Sequence, residues 1–225
     1  MIDYPDLRRI WFDHIPVRSA KRYLGDSDVR RLFSCKVAVE EKMDGSQVGL
    51  WWANGYPHVR GRSGHVFEKD DRPAFVGLWD WVWKHCSNLE KTKRHVVFGE
   101  WLYPQHHIHY DKLPDWFTAF DIYDKQDRRF LDASEKRSLL SNWGFAQAPE
   151  LCSGMLTKMN LLALVDGKKS ARSSSEHMEG CVVKNSKLQM SAKYVSREFL
   201  VGVNDEPTHW MDRRTMKFNE MEAPT

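Results

Sequence analysis

The sequence predicts an α+β fold of mostly antiparallel strands interrupted by helices. Three observations carry this. In KVAVEEKMDGSQVGLWWA (36–53), Val37 and Val39 alternate, then Val48, Leu50 and Trp52, which is the period of a strand. Phe75, Leu78, Trp79, Val82 and Cys86 fall at helical spacing. MEGCVVK (178–184) and LQMSAKYV (188–195) then return to strand composition.

Taken in order, the first segment reads as strand, turn at Asp44-Gly45, strand. Asn54-Gly55 is a hairpin signal, and YPHVRGR returns as a third strand. Residues 74–90 form a core-facing helix. HVVFGEWLY (95–103) and FTAFDIYD (117–124) are strands joined by the histidine-rich loop PQHHIHYDKLP. SEKRSLLSNW (134–143) is helical and ends at Gly144, suited to a C-terminal cap, and a short helix covers 157–165. DGKKSARSSSEH is small, polar and basic, and reads as a mobile loop. The tail, YVSREFLVGV…HW, is expected to close the fold as a strand or helix. With no repeat and no interdomain linker, a single domain over residues 1–225 is expected.

Composition narrows the classes. Hydrophobic residues at 41% and aromatics at 12% support a substantial core and exclude global disorder. A net charge of +3, from 34 basic and 31 acidic residues, excludes nucleic-acid binding by bulk charge but not by a local basic groove. Cys35, Cys86, Cys152 and Cys181 are scattered, without zinc-ribbon or disulfide spacing. His106, His107 and His109 read as structural rather than as a zinc site, and Trp79, Trp81 and Trp83 as packing residues on different faces of a helix. MIDYPDLRRI lacks the apolar segment of a signal peptide, and no run approaches the ~18 apolar residues of a membrane span. The expectation is a soluble monomer in a reducing, cytoplasmic compartment.

Lys42 raises the chemical question. An amine attacks phosphorus only when unprotonated, and its reference pKa is about 10.4. Burial and nearby cations lower that value; neighbouring carboxylates raise it. Glu40, Glu41 and Asp44 therefore oppose a nucleophilic Lys42 unless they face away or a divalent metal offsets them.

EKMDG, RGRSG, VFGEW, AFDIYD and EGCVVK stand in this order, with Lys193 on the next strand. Together they resemble the covalent nucleotidyltransferase superfamily of polynucleotide ligases and RNA capping enzymes, and within it the ATP-dependent RNA ligase family. The resemblance implies a nucleotidyltransferase fold of largely antiparallel sheets flanked by helices, with the nucleotide pocket between them. It implies ATP with Mg2+ or Mn2+, and Lys42 as the nucleophile. The implied nucleotide-binding set is Glu40, Glu41, Asp44, Gly45, Gln47, Arg62, Glu100, Phe120, Glu179, Lys184 and Lys193. In that set Arg62, of Arg62-Ser63-Gly64, binds ribose or phosphate, and Phe120, otherwise an ordinary core residue, stacks on adenine. Glu100 and Glu179 are the implied metal carboxylates, Glu100 serving the ribose hydroxyl as well, and Lys193 points to phosphate.

Two positions depart from the pattern. Gln47 stands where relatives carry Arg or Asn, and Lys193-Tyr194-Val195 lacks the second lysine of a KxK pair. The stretch after Lys193 is too short for the OB-fold of capping enzymes. The implied activity joins 3′-hydroxyl and 5′-phosphate ends of RNA, or seals nicks, through a lysyl-AMP intermediate and an AMP-capped 5′ end. The alternatives are a minimal ATP-dependent DNA nick ligase and a catalytically weak nucleic-acid-binding member of the fold.

Overall fold

The computed structural model describes residues 2–12, 22–62, 64, 66–67, 69, 72–205, 210 and 215–223. Ser63 of the RGRSG segment and His209 of the tail lie outside the described residues. The elements in chain order begin α1 (Asp26–Leu32), β1 (Val37–Glu41), β2 (Ser46–Ala53), β3 (Tyr56–Gly61) and β4 (Val66–Phe67). Next come α2 (Leu78–Lys84), α3 (Cys86–Glu90), β5 (His95–Trp101), β6 (Phe117–Asp124), β7 (Arg129–Phe130) and α4 (Ala133–Trp143). The last are β8 (Ala146–Gln147), β9 (Glu150–Gly154), α5 (Asn160–Val165), β10 (Gly180–Asn185), β11 (Met190–Val195) and α6 (Arg197–Asp205).

The chain divides into two compact units that alternate along the sequence: Pro5–Met43 with Ala148–Pro207, and Met1–Tyr4 with Asp44–Gln147 and Thr208–Thr225. The first carries a four-stranded antiparallel sheet in the order β11-β10-β1-β9. Val37, Val39, Val183, Ala192 and Tyr194 fill one face of it, packed with Ile10, Phe12, Leu32 and Leu161. The second carries a seven-stranded sheet, β4-β3-β2-β5-β6-β7, with β8 parallel to β6. Val48, Leu50, Val59, Val97, Phe117 and Ile122 pack on α2 and α4 through Trp79, Trp81, Leu140 and Trp143. The opposite face holds a smaller cluster of Trp51, Val96 and Phe98, with Tyr4, Phe120 and Phe130 against it. Among the described residues no helix is long and apolar enough to cross a membrane.

The observed fold has helices and largely antiparallel sheets, as the alternation predicted, and β1 and β2 flank the expected turn at Asp44-Gly45. β1 pairs with β9 and β10, whereas β2 pairs with β3 and β5, so the chain changes sheet at this turn. Long-range contacts hold this path. Asp44 Oδ2 accepts the N–H groups of His107 and Ile108 at 2.8 and 3.0 Å, and its own N–H donates to the Tyr110 hydroxyl at 2.8 Å. The helix expected over 74–90 is broken at His85, where φ is −106° and ψ 16°. The His85 ring stacks on Trp81 at 4.1 Å. Of the three tryptophans on α2, Trp79 and Trp81 are buried but Trp83 is 51% exposed. By contrast α4 carries a full capping box between Asp132 and Glu135, and ends at Gly144 with φ 76°.

Gly180, at the head of β10, is required by close approach: a Cβ there would overlap the Tyr194 carbonyl oxygen of β11. Gly180→Ala should force the strand pair apart and cost about 1–3 kcal/mol. A denaturant melt will show a lowered midpoint; an unchanged midpoint would contradict this packing.

Candidate functional site

Lys42 follows the last residue of β1. Its backbone N–H donates to Gly180 O at 3.0 Å, prolonging the β1–β10 ladder by one step. This register brings its side chain to Glu179, the residue before β10, and Lys42 Nζ meets Glu179 Oε2 at 2.6 Å. The lysine side chain is 23% exposed and the carboxylate 9%. Glu179 is held in turn by Ser196, whose N–H donates to its carbonyl at 2.8 Å.

Each acid flanking Lys42 has a partner of its own. Glu40 Oε2 pairs with Lys184 Nζ at 2.9 Å, with both side chains buried. Glu41 accepts the Ser170 hydroxyl at 2.5 Å and the Ala171 N–H at 3.0 Å. The serine-rich segment expected to be a mobile loop is thus anchored on β1. Further bonds run from Ser170 N–H to Glu176 O and from the Arg172 and Glu176 N–H groups to the Ser170 and Ser173 hydroxyls. Asp44 is committed to the 106–110 loop as described. His106, in that loop, lies 3.2 Å from Ser46 Oγ and 3.8 Å from Asp44 Oδ1, and stacks on Trp210 at 3.7 Å. Its surroundings are those of a packing residue. Among the described residues no group of three or more His, Cys, Asp or Glu side chains is arranged to hold a metal.

On β11, Lys193 lies opposite Val182 in the ladder and is half-buried, between the fully buried Ala192 and Tyr194. Val195, at the position of the absent second lysine, is buried at 4% exposure.

The seven-stranded unit carries the other residues. Gln47 and Glu100 are direct partners across β2 and β5, so they share a face of the sheet, on an interior strand pair. Further along β2, Gly49 has Arg60 and Phe98 as its two cross-strand neighbours, and a Cβ there would come within 2.9 Å of the Phe98 ring. Phe120 sits at an irregularity: Gly99 pairs with Ala119 and Phe98 with Asp121, leaving Phe120 as the extra residue of a bulge. Gly45 serves close approach, since a Cβ would stand 2.6 Å from the Trp101 carbonyl.

Arg60 and Arg62 differ in burial. Arg62 is exposed, whereas Arg60 is buried at 5% exposure, and its guanidinium binds the Ile2 carbonyl at 2.8 Å and the Asp3 carboxylate. Burial lowers its pKa from the usual arginine range. Tyr4 continues this N-terminal strap: its hydroxyl donates to Asp121 at 2.6 Å and its ring packs on Phe98 and Phe120 at 5.2 and 5.0 Å. The sequence reading missed this strap and Ser170, and neither carries a periodic signal that would have revealed it.

Two interleaved units of antiparallel sheet, with a lysine at the end of one strand facing a glutamate at the head of the next, define a nucleotidyltransferase-type fold. Residues 36–195 match the RNA ligase family, and the chain belongs to that family. It is similar in structure to a Naegleria gruberi RNA ligase solved with pyrophosphate: 23% identity, 80% of this chain and 55% of that one covered, TM-score 0.67. It is also similar to variants of that ligase. One, with ATP and manganese, has 22% identity, coverage of 79% and 56% and TM-score 0.65; another, with AMP and manganese, has 21%, 80% and 55%, and 0.61. At these identities the likeness shows the fold, and the chain spans about 55% of the length of the first of these structures. No curated protein matches the chain.

The Glu41 contacts give a pH prediction. Burial raises its pKa above the ordinary 4.5, outweighing the bonds from Ser170 and Ala171 and the charge on Arg172. Folding therefore holds the Glu41 proton more tightly than the unfolded chain does. The resulting stability is full below 4.5 and is lost as pH rises through the folded value. Urea melts across this range should show the wild type losing stability relative to Glu41→Gln as pH rises. A gain relative to that variant would reverse the sign and refute the assignment.

Proposed function

We propose that this chain is an ATP-dependent RNA ligase that joins 3′-hydroxyl and 5′-phosphate ends through a lysyl-AMP intermediate. The observation that carries the reading is the Lys42–Glu179 pair at 2.6 Å, within the segment matched to the RNA ligase family. In the first step the Lys42 amine attacks the α-phosphorus of ATP, an N–P bond forms, the α–β P–O bond breaks, and pyrophosphate leaves. An oxygen of the RNA 5′-phosphate then attacks the same phosphorus and displaces the lysine, leaving an AMP-capped 5′ end. Finally the 3′-hydroxyl attacks the 5′-phosphorus and AMP departs.

Before the first step Lys42 must give up a proton that Glu179 helps to hold. A hard divalent cation suits the Glu179 carboxylate, because magnesium keeps several waters and takes one or two carboxylates together with substrate phosphates. Bound there, it would compete for the carboxylate and neutralise phosphate charge. Glu100, beside Gln47, is the proposed partner of the ribose hydroxyl, with metal binding as its second role, and Phe120 is the proposed adenine platform. Gly45 belongs to this reading as the residue that lets the chain turn tightly after Lys42. Arg62 and Lys193 are the proposed phosphate cations.

Lys184, which could have replaced the absent second lysine, is engaged with Glu40. That observation favours a second reading, in which transfer is slow and nucleic-acid binding dominates. Incubation with α-labelled ATP and magnesium, followed by denaturing electrophoresis, separates the readings. The wild type should retain label, Lys42→Ala should retain none, and Glu179→Ala should be reduced about a hundredfold or more. Wild-type protein without label would sink the ligase reading; label on Lys42→Ala would move the nucleophile elsewhere. Parallel assays on RNA and DNA ends decide the polynucleotide.

A further inference from the structure

The turn between β6 and β7 distributes its charges unevenly. Asp124 accepts the N–H groups of Gln126 and Asp127 at 2.8 and 3.0 Å and pairs with Arg94 at 2.6 Å. Arg94 also binds Asp127 at 2.8 Å. Arg129 forks onto Glu135 at 2.7 and 2.8 Å. The acids around the turn are thus engaged by Arg94 and Arg129, and among the described residues Lys125 and Arg128 have no ion pair. Both are exposed. Arg128 holds φ at 56°, a left-handed conformation that costs a residue with a Cβ roughly 1–2 kcal/mol.

These two cations line a cavity of about 690 Å³ with Ile2, Asp3, Trp51, Ala53, Val96 and Tyr123. The Asp3 carboxylate is taken by Arg60. The volume lies within the ~300–1,000 Å³ of ordinary ligand sites. Apolar and aromatic walls with unopposed cations suit a planar base joined to a phosphate. None of the residues assigned to ATP is among the described residues lining it. Trp51 is four positions beyond Gln47 on β2, about 13 Å along the strand.

Ring contacts continue past the cavity from Trp51, which is buried at 5% exposure. Trp51 stacks on His58 at 5.0 Å with an 8° interplanar angle, Tyr56 meets His58 edge-on at 5.8 Å, and Trp83 meets Tyr56 edge-on at 5.2 Å. Tyr56 is 43% exposed and Trp83 51%. A run from a cavity to two exposed rings fits a polymer better than a free nucleotide.

We propose that this cavity and the Tyr56–Trp83 pair form a docking subsite for single-stranded RNA, lined by none of the residues assigned to ATP, with Phe120 packed against the Trp51 and Val96 side of its wall. The proposal rests on the RNA ligase reading and adds to it where the flank of the strand is held.

The test is fluorescence-anisotropy titration of a labelled 5′-phosphorylated single-stranded RNA against wild type, Lys125→Ala/Arg128→Gly, and Trp83→Ala. A Lys36→Ala/Lys187→Ala pair, exposed lysines elsewhere, controls for total charge. The Lys125/Arg128 variant should bind about tenfold more weakly, with a salt dependence shallower by about 1.4 in log–log slope, for two lost phosphate contacts. Its melting temperature should hold or rise, because glycine relieves the left-handed position. Trp83→Ala should weaken binding several-fold. Unchanged affinity in the Lys125/Arg128 variant, or an equal loss in the control pair, overturns the subsite. So does full displacement of the RNA by AMP, which would make this a mononucleotide site. Label uptake from ATP in the same preparations keeps the two readings apart. A wild type that takes no label but binds RNA through Lys125 and Arg128 refutes the ligase, not the subsite.

Discussion

The ion pair between Lys42 and Glu179 depends on one ladder register. β1 and β10 run antiparallel with Glu41 opposite Cys181, and the next step of the ladder joins Lys42 N–H to the Gly180 carbonyl. Lys42 therefore follows one strand just where Glu179 precedes the other. A shift by a single residue would send both side chains to the opposite face. The register is guarded from both sides. Gly180 presses on the Tyr194 carbonyl of β11, which leaves no room for a side chain. Cys181 and Val183 lie in the apolar core with Val37 and Val39, which fixes the face that β1 and β10 present to it.

That register also bears on the excess of acid around the lysine. Glu40, Glu41 and Asp44 would each favour the ammonium if they faced it. Glu40 is turned to Lys184, Glu41 to Ser170 and Ala171, and Asp44 to two backbone N–H groups of the histidine-rich loop. Three acids crowded in sequence are separated by three different kinds of partner: a cation, a hydroxyl with an amide, and a pair of amides. Each engagement also fixes a piece of chain.

The sequence made the local features legible. Asn54-Gly55 does turn between β2 and β3, and Gly144 does end α4, because in each case the signal and the structure involve neighbouring residues. The turn at Asp44-Gly45 was legible, but not its partners, for the opposite reason: they lie at His107, Ile108 and Tyr110, more than sixty positions away. The break at His85 was hidden because the apolar spacing runs on across it. β9, a short half-buried edge strand reading ELCSG, shows no alternation to detect.

Candidate residues were legible as motifs, but their company was not. Gln47 and Glu100 are adjacent only because β2 lies beside β5, and Phe120 is re-aimed by a bulge that no residue type in AFDIYD announces. Arg60 and Arg62 look equivalent in the sequence, yet one is buried against the N-terminal strap and the other is exposed, since the alternation of β3 ends at Gly61. The same reasoning separates the cations of the β6–β7 turn. Arg94, just before β5, and Arg129 are held by carboxylates, whereas Lys125 and Arg128, in the turn itself, line a cavity. Counted along the chain, residues 124–129 carry three cations and two acids. Counted by contact among the described residues, two of those cations meet no acid, and it is this count that a phosphate would meet.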